Sequence, residues 1–214
     1  MNLGDLEMTS YPVTFTVTRP WKLDRVQLLA RVLLLAALSI AGVTVGFVMM
    51  LVYLALPAVA AALIAQKGSA RFLAEDGPRL TRALVWLQAA FAYLFLLTDR
   101  LPLDRPAETA RLDIDPTGAP TAKDALLRLF TSLPSAIVLA LLSCVAYLAW
   151  LVSAVAVLFT ERVPTAIYDF QCGVLRWQAR LLAHHASLVD QYPPFAFDPG
   201  PADGTPRDHA GTFA

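Results

Sequence analysis

Two long stretches without a charged residue constrain this chain more than any other feature of its sequence. Residues 32–65 contain no charged side chain, and neither do residues 129–160. About 20 helical residues cross the roughly 30 Å hydrocarbon core of a bilayer, so each stretch is long enough to span it. We therefore expect a mainly α-helical, polytopic membrane protein. The first stretch would measure about 51 Å as one helix, so we expect it to tilt or to bend, with Pro57 as the available kink.

Each charge-free stretch is preceded by a short strand pattern and followed by a shorter helix pattern. Residues 11–18 alternate apolar side chains with threonine, which predicts a half-buried β-strand, and residues 111–115 form a second short extended piece. Residues 79–97 and 165–188 predict the shorter helices, which end in polar, proline-containing turns. The same order of elements therefore occurs twice.

Residue matches at constant spacing indicate an internal duplication. Three pairs lie 91 positions apart: Trp86 and Trp177, Asp99 and Asp190, Pro102 and Pro193. The front parts of the two halves align 97 positions apart. We expect two tandem repeats, residues 11–106 and 107–197, the second including a linker to residue 125. A polar tail (residues 1–10) and a disordered tail (residues 198–214) flank them.

Composition and motifs argue against several classes of function. The formal net charge is zero, so the chain lacks the basic field of a nucleic-acid-binding protein. The two cysteines have no metal-binding spacing. The sequence contains no phosphate-binding loop, no nucleophile elbow and no zinc-protease motif. We expect no catalytic residue, no metal and no cofactor, and hence a protein that is not an enzyme.

One face of the last predicted helix carries a polar stripe. At 100° per residue its members fall within about 80° of one another: Asp169, Gly173, Arg176, Arg180, His184 and Ser187. The stripe could pack on polar groups of its neighbours, bind lipid phosphate, or line a polar path. Adjacent histidines on a helix cannot share one metal ion; ligation of a pigment or haem by His184 or His185 alone stays open.

Two other groups of residues are candidates for structural roles. Gly42 and Gly46 form a G-x-x-x-G pattern, which predicts a helix-packing face for another helix in this chain or in a partner. Arg31 and Arg128 begin the long apolar segments, whereas Asp99 and Asp190 end the return helices. We expect these aspartates to accept N–H groups in their turns, and at least one to form an ion pair with the arginine of its own half.

The second half carries recognisable motifs, namely residues 157–164, 168–170, 173–177 and 190–195 together with Arg180. They resemble a bacterial membrane-protein family known as domain of unknown function 4389. The resemblance covers most of residues 110–197 and extends more weakly over residues 11–106. It implies a bacterial membrane protein and supplies no activity, cofactor or catalytic residue.

These observations favour a non-enzymatic accessory or scaffold subunit that organises lipid or a larger membrane complex. The alternatives are a small channel or transporter that uses the polar stripe, and a membrane enzyme acting on lipid. Membrane lipids and other subunits are the expected partners, and the bacterial inner membrane is the expected location. If all four predicted helices cross, ten Lys and Arg lie on the side of the termini and linker and five on the other, which favours cytoplasmic termini. In the alternative topology only the two long helices cross.

Overall fold

The computed structural model describes residues 11–42, 44–103 and 106–194, so the two predicted tails lie outside the described residues. In chain order the elements are β1 (Val13–Thr16), α1 (Arg25–Ile40), α2 (Val45–Lys67), α3 (Ser69–Arg71), a π-helical turn (Phe72–Asp76), α4 (Gly77–Leu94), α5 (Pro106–Thr109), β2 (Arg111–Ile114), α6 (Ala122–Thr131), α7 (Leu133–Thr160) and α8 (Thr165–His185). The expected mainly helical fold is confirmed.

The two strands pair with each other and form one antiparallel sheet. Val13 lies opposite Ile114, and Thr16 lies opposite Arg111. Along β1 the side chains alternate as the sequence pattern predicts, with Val13 and Phe15 buried and Thr16 exposed. The sequence pattern indicated both strands but gave no register between them. Their pairing brings together segments almost 100 residues apart.

The first charge-free stretch is broken at Gly42 and not at Pro57. Gly42 has a φ of +76°, a left-handed conformation that a helix interior does not accommodate. The side chain of Thr44 then caps α2 by accepting a hydrogen bond from the N–H of Phe47 (3.1 Å). Pro57 is buried inside α2, which continues through it. The expected position of the bend is therefore wrong.

This break also separates the two glycines of the G-x-x-x-G pattern. Gly42 lies in the turn and Gly46 is the second residue of α2, so they do not share one helical face. A Cβ built on either glycine would meet no described atom within 4 Å. The prediction that they form a packing face within this chain is wrong, because a close helix approach requires both glycines on one continuous helix.

The second charge-free stretch belongs mainly to α7, which has 28 residues and a length of about 42 Å. It follows α6 after a single residue, Ser132. The side chain of Thr121 caps α6 by accepting from the N–H of Asp124 (3.2 Å). Helices α2 and α7 are the two described helices that are long and apolar enough to cross a membrane.

Helix α8 lies in the centre of the protein, between the sheet and α7. Every residue from Gln171 to Val189 is buried except Arg176, which is half-buried. The hydroxyl of Tyr168 donates to a carbonyl of the chain just after β1 (3.1 Å). At 100° per residue, Val174 and Leu181 point to the side of α8 roughly opposite Tyr168. These two residues cluster with Leu139 of α7, so the sheet and α7 cover opposite sides of α8.

Replacing Phe15 by alanine tests the sheet layer. Phe15 is 2% exposed in the main hydrophobic core, so Phe15→Ala should lower the free energy of unfolding by about 3–5 kcal/mol. The matched control is Phe47→Ala on α2, where the side chain is 44% exposed and the loss should be much smaller. Thermal unfolding of both variants in one detergent measures the difference. Equal losses would contradict the layer order.

Candidate functional site

In the first half, a buried arginine is tied to the chain just after α4. Arg31 on α1 is 0% exposed, and its Nη2 donates to Asp99 Oδ1 (2.6 Å) and to the carbonyl of Thr98 (2.7 Å). The guanidinium lies 4.0 Å from the centroid of the Tyr93 ring. The other oxygen of Asp99 accepts from the backbone N–H of Asp24 (2.7 Å), immediately before α1. The contact therefore joins the start of α1 to the end of α4.

The second half contains the same kind of contact between α6 and the end of α8. Arg128 Nη2 donates to Asp190 Oδ1 (2.6 Å). Its Nη1 donates to the carbonyls of His184 (2.7 Å) and Val189 (2.8 Å). Hydrogen bonds from a guanidinium to a carboxylate and to carbonyls are charge-assisted and offset the cost of burying the cation. The structure thus pairs both arginines with the aspartates of their own halves.

The two return helices end in the same way, which explains how these acceptors are positioned. Leu96 after α4 and Ser187 after α8 both adopt left-handed φ values, of 63° and 56°. The N–H groups of Leu97 and Leu188 bond back to carbonyls in the last turn of each helix (3.0 and 3.1 Å). The chain then turns its next carbonyl and the aspartate toward the arginine. The negative end of the helix dipole also favours a cation there.

A buried polar cluster lies beside the second contact. Ser132 Oγ lies 2.5 Å from His185 Nε2 and 3.1 Å from the hydroxyl of Tyr53 on α2. The rings of Tyr53 and His185 have centroids 4.3 Å apart. At the spacings of the duplication, Leu35 and Leu94 hold the positions of Ser132 and His185 in the first half. The cluster therefore distinguishes the two halves.

This cluster lacks the third member of a catalytic triad. Ser132 and His185 are both 0% exposed, and Ser132 Oγ also donates to the carbonyl of Arg128. Within the described residues, His185 Nδ1 has no hydrogen-bond partner, so no carboxylate orients the imidazole. Also within them, no three His, Cys, Asp or Glu side chains form a metal-binding group. The arrangement can hold three helices together.

Most of the polar stripe of α8 faces the protein interior. Arg180, His184 and Ser187 are buried, Arg176 is half-buried, and Asp169 is exposed. Arg176 Nε donates to the carbonyl of Phe15 in β1 (3.3 Å), and the guanidinium of Arg180 lies 5.5 Å from the centroid of the Tyr11 ring. The lipid-headgroup interpretation fails for the three buried residues, because they offer no surface to a headgroup.

Sequence reasoning missed two aromatic contacts between the halves. Trp150 on α7 donates its Nε1–H to the carbonyl of Leu94 at the end of α4 (2.8 Å). Tyr53 on α2 contacts His185 at the end of α8. Tyr53 and Trp150 lie 97 positions apart, the same spacing as Arg31 and Arg128, so a signal for their equivalence was present in the sequence. Each long helix thus contacts the end of the other half's shorter helix.

Replacing Gly118 by alanine should disrupt the contact between Arg128 and Asp190. Gly118 has a φ of +82°, and an added Cβ would lie 1.5 Å from Asp190 Oδ2, so the carboxylate must move away. The matched control is Gly68→Ala, with a φ of +79° and no atom within 4 Å of the added Cβ, which adds only the backbone strain of a positive φ, about 1–3 kcal/mol. Gly118→Ala should reduce the unfolding temperature more. A smaller reduction than in the control would contradict this geometry.

The two histidines predict a loss of stability in acid. Burial lowers the pKa of both His184 and His185 to about 4. The positive charge of Arg128 adds to the lowering at His184, and a charge on His184 adds to the lowering at His185. Between pH 6.5 and 4 the unfolded chain binds protons that the folded chain does not, so unfolding becomes easier as the pH falls through this window.

Unfolding temperatures measured in detergent from pH 8 to pH 4 should therefore decrease below pH 6.5. The double variant His184→Gln, His185→Gln should show a smaller decrease over the same window, whatever its stability at pH 8. An equally steep decrease in the variant would show that other groups cause the pH dependence.

Comparison with known proteins gives a family match in the second half of the chain. No curated protein and no solved structure matches the chain. The matched segment, residues 122–196, contains α6, α7 and α8, together with the Arg128–Asp190 contact and the Ser132–His185 pair. Residues 122–196 match the model of the family described as domain of unknown function (DUF4389), which confirms the expected family over that segment.

Proposed function

We propose that this chain is an integral membrane protein whose helices α2 and α7 contact lipid, and that it acts as a non-enzymatic scaffold or accessory subunit. The observation that carries the proposal is the exposure of these two helices. Only 22% of the most apolar window of α2 is buried, and only 17% of that of α7. The core helix of a soluble protein would be mostly buried, and exposure of this much apolar surface to water would be unfavourable.

The polar and apolar surfaces lie on opposite sides of α8. The outward-facing residues of the sheet include Thr16, Arg111 and Asp113, which are all exposed. On the other side, α7 exposes large apolar side chains along its length, among them Leu141, Leu148 and Val155, which are 64%, 62% and 57% exposed. Such a layered molecule fits a membrane that contacts the layer of long helices while water contacts the sheet.

This layering bears on the number of crossings. Helices α7 and α8 form an antiparallel hairpin, and β1 extends along α8, from Tyr168 beside Val17 to Tyr11 beside Gln191. If α7 crossed the bilayer, the sheet would lie at the same depth. Each unsatisfied strand-edge group in hydrocarbon would cost several kcal/mol, and a charge such as that of Arg111 would cost about 2.5–3.5 kcal/mol more.

An in-plane arrangement avoids both costs. The long helices then lie embedded in one leaflet, and the sheet faces the aqueous phase. This replaces the four-crossing topology expected from the sequence and also differs from its two-crossing alternative. We retain the bacterial inner membrane as the location, with the sheet side in the cytoplasm.

The internal use of the charged residues supports a scaffold over a channel or an enzyme. Arg31 and Arg128 form ion pairs and carbonyl contacts inside the protein, and Arg176 of the α8 stripe donates to a carbonyl of the sheet. A conducting path needs polar side chains that face a water-filled space, whereas these side chains face the chain's own carbonyls and rings. Membrane lipids and other subunits are the partners that the exposed apolar layer fits.

We also propose that the two halves are copies of one unit. Four features recur at the spacings found in the sequence: the buried arginine, the left-handed residue after the return helix, the aspartate, and the aromatic residue of the long helix. Antiparallel pairing of β1 with β2 fits two copies related by a pseudo-twofold axis. The Ser132–His185 pair then represents a specialisation of the second copy.

Cysteine labelling at the two ends of α7 tests the in-plane arrangement. The variants Thr131→Cys, two residues before α7, and Thr160→Cys, at its last residue, place exposed thiols near these ends. The chain's own cysteines are replaced by Cys144→Ser and Cys172→Ala. In sealed vesicles, a membrane-impermeant maleimide should reach both positions from the same side, because neither end crosses the bilayer.

Asp113→Cys on the sheet provides the control, since it should also label from that side. Labelling of the two α7 positions from opposite sides would overturn the in-plane arrangement and would require a partner that covers the sheet. Release of the wild-type chain from membranes by alkaline carbonate would overturn the membrane proposal itself.

A further inference from the structure

The segment between β1 and α1 meets the end of α7 in a group of charged and aromatic side chains. We call this group the collar; it comprises residues 19–25 and 159–165. The N–H of Leu23 donates to the carbonyl of Glu161 (2.9 Å), and Arg19 Nη2 donates to the carbonyl of Val163 (2.9 Å). Glu161 itself has a left-handed φ of 58° as the cap of α7. The backbone of the collar is therefore fixed by both segments.

Basic side chains outnumber acidic ones in the collar. It contains four basic residues and two acidic ones: Arg19, Lys22, Arg25, Arg162, Asp24 and Glu161. Lys22 Nζ and Arg25 Nη2 share the single carboxylate of Glu161, at 3.2 and 3.5 Å. Their side chains are 63% and 50% exposed, so both keep donors available to an anion. Ion pairs this exposed contribute little stability and are easily exchanged for another partner.

Exposed aromatic side chains accompany this charge at the end of the charge-free helix. Trp21 is 87% exposed, and the guanidinium of Arg162 lies 5.9 Å from the centroid of its ring. Phe159, in the last turn of α7, is 74% exposed. Tryptophan and basic residues concentrate where a protein passes from hydrocarbon to headgroups, because the ring is amphipathic and the cations meet phosphate.

We propose that the collar binds the phosphate of anionic phospholipid headgroups through Lys22, Arg25 and Arg162. Trp21 and Phe159 insert beside these residues at the level of the upper acyl chains. A lipid fits better than a dissolved anion, because a dissolved anion gives Trp21 and Phe159 no apolar contact. The inference rests on the proposed membrane location and adds the class of lipid and its binding surface. It places headgroup binding at the end of α7 and not on α8.

The test measures stabilisation of the purified full chain by lipid in detergent. Phosphatidylglycerol should raise the unfolding temperature of the wild-type chain at lower concentrations than phosphatidylcholine, and glycerol 3-phosphate should have no effect. In the variant Lys22→Gln, Arg25→Gln, Arg162→Gln, the phosphatidylglycerol concentration for half-maximal stabilisation should increase at least about tenfold, since each basic residue near an anionic surface contributes ~1 kcal/mol.

A second triple variant provides the matched control, with the same change in net charge on other elements. It replaces three exposed basic residues: Arg82→Gln, Arg111→Gln and Lys123→Gln. This control should keep the wild-type response. Equal weakening in both triple variants, equal effects of the two lipids on the wild type, or stabilisation by glycerol 3-phosphate would each overturn the proposal. Carbonate extraction of the collar variant tests the membrane location separately from lipid selectivity. A variant that loses lipid selectivity but stays in the membrane supports both proposals.

Discussion

The burial of two arginines is the constraint on which the arrangement of the helices depends. A guanidinium removed from water is costly unless a carboxylate or carbonyls accept from it, so each arginine fixes the elements that supply those acceptors. Arg31 needs the chain after α4, and Arg128 needs the chain after α8. Both return helices end in a left-handed residue that turns a carbonyl and a carboxylate inward. The helix ends and the arginines therefore determine each other's positions.

From Gln171 onward, other elements cover helix α8 on opposite sides. The sheet covers the face with Tyr168 and Arg176, and α7 covers the face with Val174 and Leu181. The outer surface of α7 is left apolar and exposed. The proposed contact with lipid follows from this division, since the polar groups are used inside the protein and the apolar side chains remain outside.

Several parts of the site were predictable because they depend on local chemistry or on sequence spacing. The pairing of Arg31 with Asp99 followed from a cation and an anion placed at the same end of two consecutive predicted helices. The break at Gly42 was not predicted, because a glycine inside an apolar run is compatible with a continuous helix and only packing decides its φ. The Ser132–His185 pair joins residues 53 positions apart, and no local pattern contains that distance.

Three properties follow from the amino-acid sequence alone: the chain is helical, two helices are apolar enough for a membrane, and residues 122–196 resemble one family. These properties depend on composition, periodicity and local motifs. The contact of Arg176 with the sheet and the pairing of β1 with β2 came from the three-dimensional packing. A helical pattern states which residues share a face but not what covers that face, because the covering segments come from distant parts of the chain.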